Sequence, residues 1–127
     1  MINVDAKMTK TSEGVWTHYE DSQFLIAHMS SLAFQRKLTR LQQPYRGKID
    51  KGSIDPKVTR DVTCEAMAGT ILLDWKDVVN SSQEQVPFDE DLAKQVLIHQ
   101  QDVREFVSNF AVNIDNFREE DMKSLGN

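Results

Sequence analysis

Three histidines, one cysteine and a short run of carboxylates are the residues of this 127-residue chain that could make a catalyst or a metal centre. His18, His28 and His99 do not lie three or four positions from one another or from Cys64, the spacing that puts two ligands on one helical face. His18 and His28 could meet across a hairpin, but ordinary half-exposed histidines are the preferred reading. Cys64 has Glu65 beside it and no histidine near it in sequence, so it reads as a packed structural thiol. As the only cysteine it cannot form an internal disulfide. Asp89-Glu90-Asp91 could attract a cation, yet the run lacks the ligand spacing of a calcium loop. It reads as a helix cap followed by acids that complement the helix dipole. The five glycines are scattered, leaving neither a phosphate loop nor a Gly-x-Ser-x-Gly elbow. The expectation is a non-enzymatic protein with no catalytic residue, no cofactor and no metal.

The remaining chemistry is charge. Arg36, Lys37, Arg40, Arg46 and Lys48 form a basic stretch that could track a phosphate backbone. No nucleic-acid-binding motif surrounds it and the chain is acidic overall, with a net charge of −5. Contact with an acidic protein surface, or plain solvation, is the preferred reading. The charge is also divided along the chain. Residues 1–60 hold ten Lys/Arg against six Asp/Glu, a net of +4; residues 61–127 hold five against fourteen, a net of −9. If the two parts separate in space, the resulting dipole suits head-to-tail self-association or a charged protein partner.

These residues must be positioned by a single domain, which is what this length supports. No apolar run approaches the ~20 residues that span a bilayer, and the first residues lack the apolar centre of a signal peptide. A soluble intracellular protein without a membrane contact is therefore expected. Residues 1–13 read as a flexible polar arm, residues 14–118 as the domain, and residues 119–127 as a polar tail. Val15–Tyr19 and Phe24–Met29 favour strands, and Glu20-Asp21-Ser22 favours a turn, so a β-hairpin is predicted. Ser30 or Ser31 begins a helix running to about Tyr45, with Phe34, Leu38, Leu41 and Tyr45 on one face. Residues 46–53 read as a flexible connection. Asp55-Pro56 starts a second helix, predicted to run through Met67 and Ile71 to Trp75 and to occupy the centre of the fold. Asp89 starts a third, carrying Leu92, Ala93, Val96 and Leu97. Asp102 and Glu105 have capping-box spacing ahead of a fourth, whose stripe is Val103, Phe106, Val107, Phe110, Ile114 and Phe117. The predicted fold class is α+β, mainly helical: one N-terminal hairpin and about four helices. Trp75, Phe106, Phe110 and Ile114 are predicted core residues.

The order of these pieces resembles the tail assembly chaperones of long-tailed bacteriophages and prophages. The resemblance runs from Gly14 to Phe117. It rests on a hairpin of Trp-x-x-Tyr type (Trp16 to Tyr19), a basic helix reading FQRKLTRLQQPY over residues 34–45, a helix ending in Leu73-Asp74-Trp75, and the Val86-Pro87-Phe88 run before an acidic helix start. The chain departs from the pattern at Asn80–Gln85, where relatives often carry an Asp-Gly turn. The resemblance implies a binding protein that coats the tape measure protein, keeps it soluble, helps recruit tail tube subunits, and is absent from the mature virion. It further implies action in the host cytoplasm, self-association, and pairing with a frameshifted longer version of the same chain. Two alternatives stand beside it: a structural virion component such as a small head–tail joining protein, and a small nucleic-acid-binding regulator.

Two surfaces are expected to carry binding. The hairpin, through Phe24, Leu25 and Ile26, would contact a neighbouring subunit together with the arm before it. Arg36, Arg40 and Arg46 would meet an acidic surface on another copy or on the client.

Overall fold

The computed structural model describes residues 13–117. The expected arm, apart from Glu13, and the expected tail over 119–127 lie outside the described residues. The hairpin forms as predicted. Strands β1 (Val15–Tyr19) and β2 (Ser22–Ile26) pair antiparallel from Val15↔Ile26 to Tyr19↔Ser22. Glu20 and Asp21 are left as the connecting loop, with Glu20 in the left-handed region at φ 52°. β2 stops short of the predicted Met29 because other elements take up the backbone beyond Ile26. The Ala27 N–H donates to the Ile71 carbonyl (2.8 Å) and the Met29 N–H to the Ala111 carbonyl (3.0 Å).

The long central helix is corrected. It divides into α3 (Pro56–Met67) and a third strand, β3 (Leu72–Lys76), which pairs antiparallel with β2 to give a sheet ordered β1-β2-β3. A short apolar run such as Ile71-Leu72-Leu73 suits a buried strand and a buried helix equally well. The backbone decides between them. Ala68 is extended (ψ 120°) and Gly69 lies at φ 83°, a conformation side chains resist. The Gly69 N–H then turns back onto the Leu72 carbonyl at 2.9 Å. A Cβ at Gly69 would also stand 2.9 Å from the Glu90 carboxyl carbon.

A bulge at Leu25/Ile26 sets which residues of β3 face inward. Phe24 pairs with Trp75, Leu25 with Asp74, and Ile26 with Leu72, so Leu73 is the extra residue. Without it, Leu72 and Trp75, three positions apart, would face opposite sides of the sheet. With it both join Phe24 and Ile26 in the core.

The helices supply the rest of the domain. α1 (Leu32–Gln42) buries Phe34 and rests Leu38 and Leu41 on the core. Pro44 stands in a 3-10 turn over Gln43–Tyr45, and the expected flexible connection is instead a short helix, α2 (Arg46–Asp50), in its first half. α3 opens as predicted, with Asp55 accepting from the Lys57 N–H at 2.8 Å and Pro56 in its first turn. α4 (Glu90–His99) and α5 (Gln101–Val112) follow with Gln100 alone between them. The predicted capping box is corrected here. Gln100 holds the cap position without a side-chain bond, Asp102 sits inside the first turn, and Glu105 accepts from Gln101 Nε2 at 2.9 Å.

α5 lays Phe106 and Phe110 against the sheet, both half-buried. Phe106 meets Tyr19 (centroids 4.9 Å apart) and Phe24 (6.3 Å). Ile114 is not a core residue: it is 41% exposed. Extended Asn113 ends the helix and a 3-10 turn over Ile114–Phe117 resets the phase, so Phe117 is fully buried instead. The predicted α+β class holds.

Candidate protein-binding surfaces

Two of the four motifs on which the chaperone resemblance rests, Leu73-Asp74-Trp75 and Val86-Pro87-Phe88, meet in space. Trp75 is buried on β3, and its indole N–H donates to the Val86 carbonyl at 2.8 Å. Its ring meets the Phe88 ring edge-on, with centroids 5.1 Å apart. The Val86 N–H returns to the Val78 carbonyl at 2.7 Å, closing the polar loop. Within that loop Asn80 Oδ1 accepts from the Ser82 and Glu84 N–H groups. Trp75 therefore latches residues 86–88 and sets where Asp89 can start α4. Asp89 Oδ1 accepts from the N–H groups of Asp91 (2.8 Å) and Leu92 (3.1 Å). Asp89→Ala is expected to lower stability by about 1 kcal/mol, the usual worth of such a cap, as read from the urea midpoint. A change below about 0.3 kcal/mol would mean the Trp75–Phe88 latch holds α4 without its cap.

The basic stretch separates into three roles. Arg36 and Arg40, one helical turn apart on α1, are exposed and have no ion-pair partner among the described residues. With Gln35, Thr39 and Gln43 they line an open groove of about 500 Å³. Lys37 points the other way. Its ammonium donates to the Ala68 carbonyl at 2.6 Å and pairs with Glu90, closing the end of α3 against the start of α4. Arg46, exposed on α2, does not line the Arg36–Arg40 groove. One of three neighbouring positive charges is thus structural, and two form an exposed basic surface without an ion pair among the described residues.

The hairpin trio also divides. Phe24 (4% exposed) and Ile26 (0%) belong to the chain's own core, which corrects their place on a binding face. Leu25 lies on the other face of the sheet and is half-exposed. There it pairs in register with Trp16, which is 37% exposed and carries the Lys76 ammonium 4.2 Å above its ring. Leu73 completes this outer patch. A Cβ at Gly14 would strike Leu73 Cδ1 (2.9 Å) and Leu25 Cδ1 (3.1 Å), so the two leucines sit side by side where the chain enters β1. Of this patch only Leu25 was among the residues expected from sequence to bind. Leu73 could not be found from sequence, because its segment was read as helix.

The candidate metal and nucleophile residues do not converge. His18 pairs in register with Gln23 rather than His28, His28 Nδ1 bonds Ser30, and His99 bonds Gln95. Among the described residues no group of three His, Cys, Asp or Glu is placed to hold a metal ion. Nor is any described helix long and apolar enough to cross a membrane. Cys64 is buried on α3, and burial pushes its thiol above the ordinary range against a smaller opposing pull from Arg104. The native state therefore keeps the thiol proton to higher pH than the unfolded chain does. Stability from this group is complete below the unfolded thiol's pKa of about 8.5 and falls as pH rises through the window above it. Urea midpoints measured between neutral pH and about pH 10 should fall more steeply for the native protein than for Cys64→Ala. Equal slopes would show that Cys64 does not titrate with folding.

Between α3 and α4 runs a wider groove of about 530 Å³, lined by Tyr45, Lys57, Arg60, Asp61, Lys94 and His99 among others. At its edge Lys94 pairs with Glu65 at 2.8 Å, a bond that raises the lysine's pKa. This groove draws on residues from distant parts of the chain, so no local motif announced it.

No curated protein and no solved structure matches the chain. A family model does match, over residues 29–126, from the end of the hairpin past the 3-10 turn that follows α5. That stretch holds the basic α1 surface, β3 and the Trp75 latch, and on it the chain belongs to the family of YdaY prophage proteins.

Proposed function

We propose that this prophage protein is a tail assembly chaperone: a non-catalytic protein that binds the tape measure protein, keeps it soluble and helps recruit tail tube subunits. The observation that carries the reading is the joining of Asp74-Trp75 to Val86-Pro87-Phe88 through one hydrogen bond and one ring contact. These are the segments whose order resembles that chaperone group, and their packing gives the order a physical reason. The exposed Arg36–Arg40 groove supplies a surface for an acidic client, and the Trp16–Leu25–Leu73 patch an apolar surface for a second copy. Work would take place in the host cytoplasm, with a frameshifted longer form of the chain as co-chaperone, and the protein would leave before the particle matures.

Co-expression with the tape measure protein tests the reading. A soluble client that co-purifies with this chain, together with absence of the chain from purified particles by mass spectrometry, is the expected result. Recovery of stoichiometric amounts in particles would make it a virion component instead. Salt-sensitive binding to DNA or RNA, with no client bound, would make it a nucleic-acid regulator.

A further inference from the structure

Four half-buried apolar side chains, Tyr45, Ile49, Ile54 and Val62, stand outside the core cluster of the described residues. With Gln42 and Thr59 they line a pocket of about 140 Å³ where α2 faces α3. A cavity of roughly 150 Å³ with apolar walls accepts a benzene ring, so this pocket has the size of one aromatic side chain. Its wall is fixed by the backbone. The Gly52 N–H donates to the Ile49 carbonyl (3.0 Å) and the Ser53 N–H to the Lys48 carbonyl (2.8 Å), with Gly52 at φ 68°. That pair of bonds is the Schellman closure of a helix. It turns the chain so that Ile49 and Ile54, on either side of the turn, both reach the pocket.

The pocket opens on a charged track. Tyr45 and Val62 also line the α3–α4 groove, Glu65 and Lys94 carry that groove into a smaller one of about 180 Å³, and Arg40 joins this to the groove on α1. Three ion pairs neutralise much of the track: Arg60–Asp61 (3.0 Å), Lys94–Glu65 (2.8 Å) and Lys37–Glu90. Lys57, Arg40 and Arg36 have no ion pair among the described residues. Asp91 is the carboxylate left over, and it lies in the first turn of α4, where the helix dipole favours it. The unpaired charge is therefore mainly positive and flanks an apolar hole.

We propose that the pocket seats one phenylalanine-sized side chain of an acidic protein segment, whose carboxylates lie against Lys57 and Arg40. Exposed ion pairs are individually weak and salt-screened. The buried ring supplies the anchor, and the charges select the partner. Assigning that segment to the tape measure protein rests on the chaperone reading; the chemistry of the pocket does not.

The first probe is therefore a peptide, acetyl-Glu-Glu-Phe-Glu-Glu-amide, titrated into the full chain with the backbone amides followed by NMR. Shifts are expected at Lys57 and at Ile49, Ile54, Thr59 and Val62. Affinity should fall at least about tenfold when alanine replaces the peptide's phenylalanine. Lysines in place of its glutamates should abolish the shifts, because attraction becomes repulsion. Thr59→Trp, which fills the pocket from its exposed rim, should remove binding, and Lys57→Glu should weaken it about threefold or more. If Thr59→Trp fails to fold, Lys57→Glu, exposed in the first turn of α3, still gives the answer. Absence of shifts at the pocket, or equal affinity for the alanine peptide, would overturn the proposal. Co-purification with the tape measure protein separates the two readings. Peptide bound at the pocket without capture of that protein keeps the pocket and removes the chaperone. Capture by the native chain with no pocket shifts keeps the chaperone and removes the pocket.

Discussion

Trp75→Ala should be the most damaging single substitution in the domain. The indole is 5% exposed, packs opposite Phe24 in the sheet, and makes one hydrogen bond and one ring contact to residues 86–88. Truncating a buried aromatic costs about 3–5 kcal/mol, a large part of the 5–15 kcal/mol that holds a typical domain. The loss should reach beyond the sheet. The Val86 carbonyl would lose its donor and Phe88 its ring partner, so amide exchange should rise through residues 77–92 as well as at β3. Trp75→Phe is the milder comparison. It keeps a six-membered ring in the core but removes the indole N–H together with the five-membered half of the bicycle, so it should cost less than Trp75→Ala and at least about 1 kcal/mol, the lower end for a hydrogen bond whose buried acceptor is left unpaired. Urea unfolding gives both numbers. A Trp75→Ala loss below about 1 kcal/mol would refute the latch as the organiser of this region.

The second large effect falls on binding and leaves the fold alone. Arg36→Glu/Arg40→Glu replaces two exposed guanidiniums that make no ion pair among the described residues, so the thermal midpoint should hardly move. If the groove receives an acidic client, co-purification with the tape measure protein should weaken at least tenfold, about 1.4 kcal/mol, because attraction becomes like-charge repulsion. Lys37→Glu is the informative contrast. It is one residue away and carries the same formal change, but it sets a carboxylate against Glu90 and the Ala68 carbonyl. It should lower stability rather than act on binding alone. Client affinity unchanged by the Arg36/Arg40 reversal would remove this groove from the proposed mechanism.

These two substitutions also mark what could be read from residues alone. The hairpin, Asp55 and Asp89 as caps, and the buried Cys64 were legible because each rests on local chemistry: strand-favouring runs about a turn, a short acceptor side chain before a helix, a lone thiol with no histidine near it in sequence. The basic stretch was legible as a run of charge, but not its division: Lys37 turns inward and Arg46 lies outside the groove that Arg36 and Arg40 line. Ile114 was misplaced because a helical stripe was extended past Asn113, where the chain turns extended and the period resets. Phe24 and Ile26 were placed on a binding face because alternation separates two faces of a strand without saying which is covered.

The strand β3 could be assigned only in three dimensions. Its apolar run satisfied either period, and pairing with β2 decided between them by supplying hydrogen-bond partners that a helix ending at Met67 could not. Only the tertiary structure sent Lys37 inward while its neighbours stayed outside, because the acceptors it satisfies, Ala68 and Glu90, are 31 and 53 residues away in the chain. Local pattern determined the hairpin and the starts of α3 and α4. Long-range contact decided which faces they cover, and so which charges and apolar side chains remain for a partner.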